Sequence, residues 1–156
     1  MVTSEDKLNV MQMLVEVEET TGRLYEAYGR IFPEHEEFWF GLTVEEADRA
    51  SAILDLINMY KKGRTSFHED SRMITEAEKL LSRLKNELEQ AEQGQFSFND
   101  ALLRALDIEK SLAEHRFYRM FGGGSRETLS ILELLDSFSN NHVKILQIEL
   151  KHHHKE

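Results

Sequence analysis

The sequence contains no cysteine. Disulfides, thiolate zinc sites and iron–sulfur clusters are excluded, and the absence fits a reducing cytoplasm. Proline occurs once, at Pro33, and runs of β-branched or aromatic residues are few, which argues against a sheet-built fold. Positive charge is scarce: 19 Lys and Arg face 29 Asp and Glu, for a formal net charge of −10. Such a chain lacks the basic face that phosphate binding requires, so nucleic acid is not an expected partner. Long apolar runs are missing as well, and acids precede the first apolar stretch. Neither a signal peptide nor a membrane span is expected.

What the chain has in quantity is Leu, Glu, Lys, Ala and Met, all good helix formers. Its 156 residues suffice for one domain, 1–156, with a sizeable core, and the composition predicts an all-α fold. A Thr3-x-x-Asp6 cap opens a first helix running to about Ile31. A second helix begins at Pro33 and runs to about Lys62, before Gly63. Residues 64–70 read as a polar loop. A third helix, about 71–92, carries Leu80, Leu81, Leu84 and Leu88 on one seam. Ser97-x-x-Asp100 caps a fourth helix reaching about Phe121, and Gly122, Gly123 and Gly124 form a turn. Ser125 caps the last helix.

Sliding the sequence by 93 positions, so that Glu16 falls on Glu109, reveals an internal repeat without gaps. Arg23 then meets Arg116, Tyr25 meets Tyr118, Gly29 meets Gly122 and Leu42 meets Leu135. Two repeated helical hairpins, about 4–62 and 97–153, predict a duplicated four-helix bundle. The helix at 71–92 has no counterpart and is expected to connect the halves on the outside. Phe38, Trp39 and Phe40 are consecutive and sweep about 200° of a helix, too much for one buried face. Their extra partner is expected to be the connecting helix, with a homodimer interface as the alternative.

Three helices aim an ionisable group at the core. Glu46, Glu109 and His142 each lie near the centre of their helix's apolar stripe. Glu16 lies about 95° off its own stripe, and only the repeat assigns it to the same set. Buried unpaired charge is costly, so two carboxylates and an imidazole that converge need a cation. A metal ion is one answer; a proton shared between carboxylates, or an arginine, would also serve.

The stretches ALDIEKSLAEHRFYRMF, LTVEEADRA and LLDSFSNNHVKIL resemble the ligand-bearing helices of the rubrerythrin-type ferritin-like family. The resemblance implies a bundle in which two single glutamates and two Glu-x-x-His motifs hold two irons. Glu16 and Glu109 match the single glutamates. Glu46 matches the Glu of the first motif, with Arg49 in place of its His. His142 matches the His of the second, with Ser139 in place of its Glu. Tyr25 and Tyr118, nine residues after the single glutamates, are expected just behind the ligands. With two of six ligands lost, the resemblance implies at most one Fe, Mn or Zn ion, on Glu46, Glu109 and His142. Arg49 is expected to pair with Glu16 or Glu46, or both. The same losses argue against a conventional di-iron oxidase or peroxidase. The alternative is a metal-free structural or interaction bundle in which Arg49 and the core glutamates form an ion-pair network. The run His152–His154 is expected to bind metal only adventitiously.

Overall fold

The computed structural model describes residues 3–155, and these are almost entirely helical. The five helices are α1 (Ser4–Ile31), α2 (Glu36–Lys61), α3 (Ser71–Gln93), α4 (Phe98–His115) and α5 (Arg126–Lys155). None is long and apolar enough to cross a membrane among the described residues.

The helix starts follow from local chemistry. Thr3 and Ser97 each accept a hydrogen bond from the backbone N–H three residues on, and Asp6 and Asp100 reciprocate. Ser125 caps α5 through the N–H of Thr128. Pro33 begins a short 3₁₀ turn, Pro33–His35, rather than α2 itself. Gly63 and Gly94 adopt positive φ just beyond α2 and α3, as helix ends commonly require.

α1 packs against α2 on one side and α3 on the other, α4 against α5, and α2 against α5. α3 buries one face, through Ala77, Leu80, Leu81 and Leu84, and lies over α1 and α4. Lys85 reaches Glu16 on α1, while Arg83 and Glu87 pair with Asp107 and Arg104 on α4. α3 thus leaves its other face to solvent.

α1 is buried around most of its circumference. One stripe includes Leu14, Val17, Thr21, Leu24 and Tyr28; a second runs Met11, Val15, Glu18, Gly22, Tyr25 and Gly29. The glycines of the second stripe admit α2 closely. A Cβ on Gly22 would lie 3.5 Å from the Glu46 Cβ, and one on Gly29 would lie 3.4 Å from that of Trp39.

Two expectations about the second hairpin are corrected. α4 ends at His115 rather than near Phe121, because Arg116 takes a left-handed conformation (φ 48°) and a 3₁₀ turn, Phe117–Met120, follows. Residues 64–70 are not merely a polar loop. Ser66–Phe67 (β1) pairs antiparallel with Phe121–Gly122 (β2), and Phe67 buries its ring against Phe121. The aromatic triplet resolves differently too. Trp39 is fully buried against Tyr25, Tyr28 and Phe98, so its partners are α1 and the start of α4, not α3. Phe38 packs beside it, and Phe40 points outward, 66% exposed.

Candidate metal and ion-pair centre

α1, α2, α4 and α5 each deliver polar side chains to one centre. Glu18, Glu46, Arg49, Glu109 and His142 are all buried there, although Leu, Val, Ile and aromatic side chains fill the positions above and below them. Glu46 and Arg49 stand one turn apart on α2 and so share its inner face.

Arg49 holds one half of the centre. Its second terminal nitrogen donates to Glu18 Oε1 at 3.1 Å, and its Nε lies 3.1 Å from Glu18 Oε2 as an ion contact without hydrogen-bond geometry. Its other terminal nitrogen reaches Glu109 Oε2 at 3.5 Å. Burial works to strip the guanidinium of its proton, but Glu18, Glu46 and Glu109 outweigh it and hold the charge firmly. A cavity of about 10 Å³, the size of one water, lies between Arg49, Glu18 and Tyr118.

The other half belongs to Glu46, Glu109 and His142. His142 Nδ1 lies 3.2 Å from Glu46 Oε1 and 3.4 Å from Glu109 Oε1. Neither approach has hydrogen-bond geometry: His142 Nδ1 and both oxygens of Glu46 are buried without a hydrogen-bond partner. Each of the three residues offers a ligand atom within 4.8 Å of the others. The other ring nitrogen, Nε2, contacts Glu45, which is partly exposed at the rim. Donation of Nε2–H to this carboxylate leaves the Nδ1 lone pair facing inward.

The carboxylates differ in their affinity for protons. Burial, then the charges of Glu109 and Glu18, push Glu46 well above the usual carboxylate range. Burial pushes Glu109 in the same direction, but the His142 ring and Arg49 overcome it and bring its pKa down to about 2. Burial disfavours charge on His142, yet Glu109 outweighs it and raises the imidazole above its ordinary value. Tyr25 is held protonated by burial and by Glu109, to whose Oε1 it donates at 2.6 Å.

Several expected positions move. Glu16 is not in the centre: it lies half-exposed and pairs with Lys85 at 3.1 Å. Glu18, two residues on, occupies the inner position because the site faces the second stripe of α1. Arg49 accordingly pairs with Glu18 and Glu109, not with Glu16 or Glu46. Tyr25 stands behind Glu109 and donates to it. Tyr118 does not, for its hydroxyl donates to Asp136, and burial together with that bond pushes it up to about 12. Ser139 is buried one turn before His142 on α5, and its hydroxyl has no hydrogen-bond partner. Sequence reasoning missed Glu18, Glu45 and Asp136. The spacing of Glu18 from Met11, Val15, Gly22 and Tyr25 was the available signal for the first.

No protein-family model matches the chain, and no curated protein or solved structure does so either.

Proposed function

We propose that this chain is a rubrerythrin-like bundle whose core holds one divalent transition-metal ion on Glu46, Glu109 and His142. The observation that carries the reading is the orphaned set of buried donors, Glu46 Oε1, Glu46 Oε2 and His142 Nδ1, beside Glu109. Donors about 2.0–2.2 Å from a shared ion stand roughly 3–3.5 Å apart, close to the separations around Nδ1. Two carboxylates and an imidazole suit Fe(II), Mn(II) or Zn(II).

Charge supports the same reading. Arg49 supplies one positive charge on the Glu18 side, and a divalent ion would meet the carboxylates of Glu46 and Glu109 beside His142. A second ion is disfavoured, because Arg49 already occupies the other half of the centre on Glu18. That pairing also favours the second reading, a metal-free core in which Arg49 and the carboxylates fix how the helices meet.

Metal analysis of protein truncated before His152 decides between them. The metal reading expects about one bound ion per chain after loading and dialysis. Glu46→Gln, which keeps the shape and removes the charge, should abolish it. A truncated protein that folds normally and retains no ion would leave the ion-pair reading standing alone.

A further inference from the structure

The outward face of α2 carries a stripe with no partner among the described residues. Phe40, Val44, Ala47, Ser51 and Leu54 recur at alternating spacings of four and three, the period of a helix-pairing seam. All are exposed; Phe40 is 66%, Val44 44% and Leu54 42% accessible. Bulky side chains occupy the two ends and small ones the middle. Ala47 is equidistant from Phe40 and Leu54, each seven residues away. A hollow between α1 and α2, lined by Gly29, Arg30, Thr43 and Phe40, lies beside one end.

The charges are arranged with the same reversal. The N-terminal end of α2 is acidic, with Glu34, Glu36 and Glu37 exposed, and the C-terminal end is basic, with Lys61, Lys62 and Arg64 exposed. A parallel copy would set acid against acid and base against base. An antiparallel copy sets each acidic end against a basic one. It also brings Leu54 of one chain to the hollow beside Phe40 of the other.

We propose that this face docks a second copy of the chain, antiparallel, with the two-fold axis passing at Ala47. Such an isologous contact uses each side chain twice, so a self-complementary stripe is what it requires. The small residues at the centre permit close approach, and the aromatic and leucine ends supply anchors.

Sedimentation equilibrium over a dilution series should show a monomer–dimer equilibrium. Phe40→Glu with Leu54→Glu should raise the dissociation constant by about tenfold or more while leaving the helical circular dichroism unchanged. Because the chain has no cysteine, Ala47→Cys supplies a single thiol at the axis and should form a disulfide-linked dimer under mild oxidation. A cysteine at exposed Glu92, on α3, should not. Lys61→Glu with Lys62→Glu should weaken self-association, and mixing that variant with Glu36→Lys/Glu37→Lys should restore it as a heterodimer. A wild-type monomer at every accessible concentration overturns the proposal and leaves the face to a different protein. So does a dimer that survives the Phe40 and Leu54 changes or fails to cross-link at position 47.

Discussion

Arg49 is the residue on which the buried charges depend. Its guanidinium is fully buried, and Glu18 has no other cation in ion-pair range among the described residues. Arg49→Ala should therefore cost about 3–5 kcal/mol in urea denaturation, since removing one member leaves buried carboxylates uncompensated. A loss below about 1 kcal/mol would mean that the carboxylates simply take up protons instead. At the rim of the molecule, Asp136 accepts from the Tyr118 hydroxyl and from Arg119, and Arg116 lies nearby. Partial burial pushes its pKa up, but these partners more than offset that and leave it below the usual aspartate range. A depressed carboxyl stabilises the fold fully above its unfolded pKa and loses that contribution as pH falls through the folded one. Asp136→Asn should lower stability near neutrality and flatten the decline at acid pH, measured by thermal melts across pH. At this scale much was legible in the sequence. Glu46, Glu109 and His142 sit at the centres of their stripes, and periodicity alone brings them together. Glu45 and Asp136 were not legible, because a rim carboxylate looks like any solvated acid until its partner's position is known.

Among the helices, α1 shows why one site residue was misplaced. α1 packs against both α2 and α3, and its buried residues form more than one stripe. A single stripe centre averages them and leaves Glu16 and Glu18 on opposite flanks, so that periodicity favours neither. The internal repeat then selected Glu16. In the structure the second helices keep the repeat's register, with Glu46 answering Ser139 and Arg49 answering His142, all four buried. The first helices do not, since Glu109 is answered by Glu18. Gly22 gives a test of the stripe that was overlooked. Gly22→Ala fits at ordinary contact distance from Glu46 and should stabilise by up to about 1 kcal/mol through helix propensity. Gly22→Leu should instead lower stability by about 1–3 kcal/mol, because the larger side chain must push α2 away. Chemical denaturation of the two variants gives the sign in each case.

For the molecule as a whole, the all-helical class and the caps at Thr3 and Ser97 follow from composition and spacing. The β1–β2 pairing does not, because two-residue strands carry no periodic signal and depend on where α4 happens to end. The depth of α1 has a further consequence, expressed in time rather than in space. A helix covered by α2 on one side and α3 on the other exposes its backbone only when both neighbours have departed. Its amide protons, above all those from Val17 to Tyr25, should be among the last in the chain to exchange with deuterated solvent. α3, buried on one face alone, should exchange earlier, and mass-spectrometric exchange over minutes to days would order the two. If α3 peptides outlast those of α1, the outer helix is the more persistent element, and the centre of the bundle opens before its cover does.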